Sequence, residues 1–348
     1  MFFNIDFEVT NRCNASCDFC PRDATPHQGL MSEEVFDAAL ANLVEFRDRV
    51  QVRLPEWGIQ VFLCGLGEPL LNKRIGDYVA KTKAAGFTCG LASNGALLDE
   101  RRSAAVLDAG LDSIAINVSE IDEEYEAIYK LPFEKTRDNV VRFAEMADGR
   151  CDISMVIVDH REDMDHVRKM RKYWARYGLT QTIRYDIMNR GGALYVDTMQ
   201  FEELPEAAQA RQLLADRGVT EPLCGAPFVL PFVGYDGQYY LCCSDWTKKA
   251  PLGSVFEESF VSTLDRKLDF VLSREPVCVH CNHDPINKVA EKLIQIRTGR
   301  ATEADLDGLV HALAVGNDDI NDLIGDLRQM ADPDAMASPR RRIPLSIE

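Results

Sequence analysis

No apolar run in this 348-residue sequence approaches the ~20 residues that a membrane-spanning helix requires, so no membrane partner is expected. The opening MFFNIDFEVT lacks a basic region, an apolar core segment and a small-residue cleavage site, so no export signal is expected and a cytoplasmic location is. Basic residues are outnumbered: 39 Lys and Arg face 56 Asp and Glu, a net charge of -17 that repels phosphate backbones and argues against nucleic acid as a partner. Such a field would attract a cationic substrate, although its simplest consequence is solubility. The six histidines do not cluster. Helix-borne ones such as His311 are expected at the surface, and His280 and His283 are expected only to shape their loop. There is no internal repeat and no low-complexity tract. Cysteine is not scarce: there are eleven, and without an export signal they do not read as a disulfide framework. Metal or redox use is the expectation for those that cluster.

Apolar, β-rich runs alternate with amphipathic stretches. Strands are expected at 5–9, 59–65, 87–93, 113–119, 151–158 and 182–188. Helical apolar periodicity fills the intervals at 32–50, 72–86, 99–110, 135–147 and 163–178, several of which end at Gly. Such alternation implies parallel strands joined by right-handed crossovers, hence a barrel or a doubly wound sheet. Side chains alternate along a strand, so Asp6, Glu8 and Thr10 share one face of the first strand and Ile5, Phe7 and Val9 the other. Asn117 and Ser119 oppose Ile114, Ile116 and Val118 in the fourth, and Arg184, Asp186 and Met188 oppose Ile183, Tyr185 and Ile187 in the sixth. A sheet covered on both faces would be apolar throughout. Polar residues on one face suggest instead an open barrel with a polar lumen.

The rhythm changes near residue 190. NRGGALYVDT reads as a linker and FEELPEAAQARQLLADRG as a helix. LCGAPFVLPFVGYDGQYYLCCSDW reads as a β-hairpin turning at Asp236-Gly237, followed by a helix over 257–273 and the hook PVCVHCNHD. The expected organisation is a barrel over 1–190, a linker and helix over 191–223, a second module over 224–285 and a helical extension with a loose tail over 286–348.

Cys13, Cys17 and Cys20 lie in VTNRCNASCDFCPRD, at the end of the first strand. Three thiolates can hold three corners of a four-iron, four-sulfur (4Fe–4S) cube and leave the fourth iron open to a substrate or cofactor. The alternative is a zinc knuckle with His27 as its fourth ligand. Cys224, Cys242, Cys278 and Cys281 form a second set suited to a fully protein-ligated cluster or a structural zinc, with Cys243 competing with Cys242. Cys64, Cys89 and Cys151 sit in or beside core strands and read as small buried hydrophobes, with Cys64 or Cys243 a possible hydrogen-atom donor in an epimerase.

CNASCDFC, with Phe19 before its third cysteine, resembles the signature of the radical S-adenosylmethionine (radical SAM) superfamily. Gly67, Glu68 and Pro69 after the second strand resemble the family's GEP segment, which contacts the methionyl amino group. Ser93 and Asn94, with Gly95, resemble its ribose-contacting turn, and Asn117 and Ser119 stand where SAM-contacting polar residues are usual. The likeness covers about residues 3–190 and implies an α/β fold, an open six-unit (β/α) partial TIM barrel. The second cysteine set resembles the auxiliary-cluster modules called SPASM and Twitch. No cysteine follows Cys281, so it is nearer the single-cluster Twitch form, with a β-hairpin plus helix.

The cofactors so implied are S-adenosylmethionine and two 4Fe–4S clusters, one SAM-binding and one auxiliary. The resemblance implies reductive cleavage of S-adenosylmethionine to a 5′-deoxyadenosyl radical, which abstracts hydrogen from substrate. An electron donor such as flavodoxin or ferredoxin is the implied partner. EVTNRCNASCDFCPR, GEPLLNKRI, NRGG, Asp245 and the final hook are similar to the Twitch dehydrogenases of aminocyclitol biosynthesis, which oxidise 2-deoxy-scyllo-inosamine. Glu8 and Arg190 are the expected catalytic residues, with Arg190 donating hydrogen bonds to a hydroxyl or carboxylate. The expectation is therefore an oxidoreductase or epimerase acting on a small polar, sugar- or aminocyclitol-like substrate in a biosynthetic pathway. A maturase of a ribosomally made peptide is the main rival. Such enzymes commonly carry a leader-recognition domain, and this sequence starts at the first strand, which weighs toward the small substrate. A non-catalytic iron-sulfur or zinc protein would have no use for the GEP and SNG segments.

Overall fold

The computed structural model describes residues 2–194, 204–274 and 277–331; the expected tail and part of the expected linker lie outside the described residues. In chain order the elements are β1 (Phe2–Glu8), α1 (Glu33–Arg53), β2 (Gly58–Cys64), α2 (Ile75–Ala84), β3 (Thr88–Ser93), α3 (Glu100–Asp108), β4 (Ser113–Asn117), α4 (Asp122–Tyr129), α5 (Phe133–Ala147), β5 (Asp152–Asp159), α6 (Met164–Ala175) and β6 (Thr182–Asp186). They continue with α7 (Ala207–Asp216), α8 (Ala226–Val229), β7 (Phe232–Val233), β8 (Gln238–Tyr240), β9 (Pro251–Ser254), α9 (Leu264–Ser273), α10 (Pro285–Arg297) and α11 (Glu303–Ala331).

Local chemistry sets the helix starts. The Ser32 side chain accepts from Val35 N–H at the head of α1, where Glu33 and Glu34 complement the positive end of the helix dipole. Asp99 caps α3 in the same way, and Asp284 caps α10, whose first residue is Pro285. The buried stripe of α1 includes Val35, Phe36, Leu43, Phe46 and Val50 at helical spacing. Phe36 meets Phe7 edge-on at 5.5 Å and stacks on Tyr78 at 4.1 Å, and Phe46 meets Phe3 at 5.1 Å. These contacts press α1 and α2 onto the outer face of β1, where each fully buried aromatic contributes about 1.5–3 kcal/mol.

The strands form one sheet in the order β6-β5-β4-β3-β2-β1-β7-β8-β9. Neighbours from β6 through β1 are parallel, so the six barrel strands make an open barrel as the alternation predicts. The register places Asp6 beside Phe62 and Glu8 beside Cys64, and the Asp6 row continues through Gly90, Ser113 and Asp152 on the inner face. Gly90 is required there: a Cβ would lie 2.3 Å from Cδ2 of Phe62. Strand six turns its faces against the polar reading. Val156 pairs with Ile183 and Val158 with Tyr185, so this row lies on the inner side, while Arg184 points outward. The reason is ionic: Asp159 and Asp186 hold the Arg184 guanidinium at the edge, at 2.9 and 2.5 Å.

The second module prolongs the same sheet. β7 runs parallel to β1, with Asp6 opposite Phe232 and Phe7 opposite Val233. β7 and β8 are the expected hairpin, closing through Gly237 at φ +78°, a left-handed turn that glycine adopts without strain. Ala207, Ala210 and Leu214 of α7, Ile286, Val289 and Leu293 of α10 and Leu306 and Val310 of α11 make a separate small core. Farther along α11, Leu323, Ile324 and Leu327 join the main core, and Arg49 of α1 donates to the Met330 carbonyl at 2.6 Å.

Candidate active site

The cysteine loop is closed by its own polar groups. Asn11, fully buried, donates to the His27 carbonyl at 2.6 Å and accepts from Gly29 N–H at 2.8 Å, while Thr10 Oγ1 donates to the Gly29 carbonyl at 2.6 Å. Cys20 N–H donates to the Cys17 carbonyl at 3.1 Å, which folds the three thiols toward one another. The His27 side chain is exposed. Among the described residues no three His, Cys, Asp or Glu side chains are gathered around one point.

The GEP segment lies directly against this loop. A Cβ at Gly67 would stand 2.3 Å from the Arg12 carbonyl oxygen, and Glu68 N–H donates to that oxygen at 2.8 Å. The Glu68 carboxylate is 1% exposed; one oxygen accepts from Leu70 N–H at 3.1 Å and Ser93 Oγ at 3.0 Å, the other from Asn94 N–H at 2.8 Å. Burial pushes its pKa up to about 7. Glu68 is thus a brace between the ends of β2 and β3, and Pro69 opens the short helical turn behind it. Asn94 reaches back to Asn14 Oδ1 at 2.9 Å and lies 3.8 Å from Cys13 Sγ. Asn117 Oδ1 accepts from Tyr129 Oη at 2.8 Å and from Ser119 Oγ at 3.2 Å. Phe19 packs edge-on to Tyr129 at 5.5 Å and stacks on His160 at 5.4 Å.

His160 belongs to a cluster that the sequence reading did not find. His160 Nε2 and His166 Nε2 each lie 3.2 Å from the fully buried Glu120 carboxylate, and Arg161 lies 2.9 Å from it. Burial disfavours the ionised Glu120, but His160, His166 and Arg161 outweigh this and hold its pKa below the usual range. His166 sits on a helix yet is 6% exposed, because its ring turns inward to the Ser119 carbonyl at 2.9 Å.

The second thiol set is gathered from three places: the start of α8, the exit of β8 and the final hook. Cys224, Cys242, Cys278 and Cys281 are all raised in pKa by burial, Cys224 to about 11, and Cys281 adds to the rise of the other three. Cys243 packs with Leu66, Phe232, Tyr240 and Trp246, and it also lies close enough to Cys224 and Cys281 to act on them. The NRGG turn clamps the hook. Asn189 donates to the His280 carbonyl at 2.6 Å and accepts from Asn282 N–H at 3.1 Å, and a Cβ at Gly191 would lie 2.6 Å from Val277 Cγ1. Arg190, at φ +53°, is thereby held with its guanidinium 5.4 Å over the Trp246 ring. There it is close enough to Cys20 and Cys243 to favour their thiolates.

Glu8 has a partner with no counterpart in the local sequence. Lys248 Nζ lies 2.8 Å from its Oε2, and Tyr235 N–H donates to the same oxygen at 3.2 Å. The ammonium also rests on Tyr240 at 4.1 Å and Phe232 at 4.8 Å. Burial raises the Glu8 pKa and Lys248 opposes the rise. Asp6, one step down the inner face, has no such cation beside it among the described residues; burial pushes it up to about 7, against a hydrogen bond from Cys64.

Comparison with known proteins is decisive for the barrel. The model of the radical SAM superfamily matches residues 7–173. Residues 7–173 are a radical SAM domain. The tungsten-containing aldehyde ferredoxin oxidoreductase cofactor-modifying protein of Pyrococcus furiosus is 22% identical over 179 residues, covering 49% of this chain and 48% of that protein. The chain therefore spans about half the length of that relative. Among solved structures, BtrN in complex with AdoMet and 2-DOIA superposes with a TM-score of 0.50 at 16% identity, covering 82% of this chain and 95% of that one. Native anSMEcpe with bound AdoMet and Cp18Cys peptide gives 0.56 at 13% identity, covering 90% and 99%. These likenesses show the shared fold, a partial barrel followed by a C-terminal module.

The radical SAM domain uses S-adenosylmethionine and a 4Fe–4S cluster, and the donor set on its first loop fits that pair. Burial raises the pKa of Cys13 to about 11 and raises Cys17 and Cys20 as well. Buried thiols of this kind ionise only against a strong local cation, which iron supplies. Among the described residues no helix is long and apolar enough to cross a membrane.

Proposed function

We propose that this radical SAM protein dehydrogenates a small, polar, hydroxyl-bearing metabolite. In this reading Cys13, Cys17 and Cys20 hold the SAM-binding cluster, and Cys224, Cys242, Cys278 and Cys281 hold an auxiliary one. Phe19, Gly67, Glu68, Pro69, Ser93, Asn94, Asn117 and Ser119 shape the cofactor pocket. One observation carries the proposal: Arg190, over the Trp246 ring, is close enough to act on Cys20 of the first thiol set and on Cys243 beside Cys242 of the second, and Asp6 and the Glu8–Lys248 pair share the inner face of β1. Arg190 follows Asn189, whose side chain bonds the hook, and its guanidinium lies over Trp246, which leaves its planar donors for a substrate hydroxyl or carboxylate. Glu8, occupied by Lys248, fixes the inner face of β1 beside Asp6.

When bound, the SAM-site pair supplies abstraction of one hydrogen atom from a C–H bond, and the auxiliary cluster supplies a one-electron sink. Oxidation of a secondary alcohol to a ketone then leaves one proton to remove. Asp6 takes it, because a carboxylate whose pKa lies near 7 is a competent base at neutral pH. The electron that starts the cycle comes from an external donor of the flavodoxin or ferredoxin kind.

Anaerobic reconstitution tests the reading. About eight irons per chain are expected. With S-adenosylmethionine and reductant, 5′-deoxyadenosine and a ketone should form in equal amounts from an aminocyclitol or sugar-alcohol panel. A protein that leaves S-adenosylmethionine intact would sink the proposal. The second reading, a peptide maturase, draws on the open edge of β6, where Tyr185 is 51% exposed and an extended peptide could pair. Mass changes confined to a peptide panel would select it, and inversion of a carbon without ketone would point to Cys64 or Cys243 as hydrogen donor.

A further inference from the structure

Three of the buried cations among the described residues have partners in the chain. Lys248 meets Glu8 at 2.8 Å, Arg274 meets Asp284 at 2.8 Å and Arg53 meets Gln329 at 3.0 Å. Lys267 departs from this pattern. It is 4% exposed on the buried face of α9, between Leu264 and Val271, and no carboxylate, carbonyl or hydroxyl among the described residues accepts from its ammonium. Its surroundings are apolar: it lines a small cavity with Phe46, Phe228, Phe260 and Leu327. An ammonium sequestered this way is costly unless an anion stands nearby.

The position of α9 says which anion. The helix packs against α8, which begins two residues after Cys224, and the cavity wall includes Phe228 of that same short helix. Cys242 is the ionisable group that acts on Lys267, favouring its charged form while burial pulls its pKa down to about 8. A cube held by four thiolates carries net negative charge, and the charge grows on reduction. A cation fixed beside it therefore stabilises the reduced form more than the oxidised form.

We propose that Lys267 is the counter-charge of the auxiliary cluster and raises its reduction potential, so that the cluster accepts the electron released when substrate is oxidised. This rests on the reading that Cys224, Cys242, Cys278 and Cys281 hold iron and sulfide. The test uses the full chain with both clusters reconstituted and compares Lys267→Met and Lys267→Arg with the parent in redox titrations followed by electron paramagnetic resonance. The SAM-site cluster is the internal reference.

In Lys267→Met the reduced-to-oxidised ratio of the auxiliary cluster at a fixed potential should fall about tenfold, equivalent to a potential about 59 mV lower for one electron. Lys267→Arg should stay close to the parent, and the SAM-site cluster should not move. An auxiliary potential unchanged in Lys267→Met overturns the proposal. If Lys267→Met loses the auxiliary iron and Lys267→Arg keeps it, compensation of charge is again supported; if both lose it, packing is responsible and the proposal falls. A parent protein that binds zinc or nothing at the second set refutes the underlying reading instead, and metal analysis separates the two failures.

Discussion

Lys248 Nζ stands 2.8 Å from Glu8 Oε2 across 240 residues of chain, and this buried pair ties the first barrel strand to the hairpin module. Removing one member of such a pair strands the other charge. Lys248→Met should cost about 3–5 kcal/mol, whereas the double change Glu8→Gln with Lys248→Met should cost less than the single one. Urea unfolding midpoints under anaerobic conditions give the comparison, and equal stability of Lys248→Met and the parent would remove the pair from the account.

Gly67 has no room for a methyl group, since the Arg12 carbonyl oxygen lies 2.3 Å from where a Cβ would be. Gly67→Ala should push the GEP segment off the cysteine loop. The expected outcome is a protein with parent-like circular dichroism whose 5′-deoxyadenosine formation falls at least tenfold. Unaltered formation would mean that the two backbones need not touch.

The two thiol sets should fail separately. Cys13→Ala should keep about four irons and make no 5′-deoxyadenosine, while Cys278→Ala should also keep about four irons but still cleave S-adenosylmethionine without yielding ketone. Iron analysis with product chromatography reads both outcomes. Ketone production by Cys278→Ala would remove the second set from the reaction.

Asp6 gives the expected pH dependence. Its pKa is raised to about 7 by burial, and the ionised form is the base, so ketone formation should be low at pH 6 and rise through about 7. Cys64, Asn4 and Cys243 face this carboxyl, and none of them is cationic. Asp6→Asn should lose ketone and flatten the profile while 5′-deoxyadenosine still forms. A parent profile that falls across the same interval would show that the proton leaves by another route.

Much of the barrel and its cofactor loop was legible because the information is local. Alternation of strand and helix follows from apolar periodicity, and Cys13, Cys17 and Cys20 fall on one short loop whatever surrounds them. Gly67 and Asn94 follow strands whose parallel register brings their ends together, so segments after β2 and β3 had to meet the loop after β1. Arg190 was visible through NRGG, although its clamp on the hook through Asn189 was not.

What the sequence by itself determined is therefore the kind of fold and the chemistry its thiols favour, both encoded by spacing within a few residues. Tertiary structure alone decided the rest. It turned Arg184 outward toward Asp159, buried His166 beside Glu120, gave Glu8 the Lys248 ammonium and left Lys267 without a carboxylate. Each of these depends on burial, where charge must find charge, and the partners that satisfy or fail to satisfy it come from elements that the chain order does not place side by side.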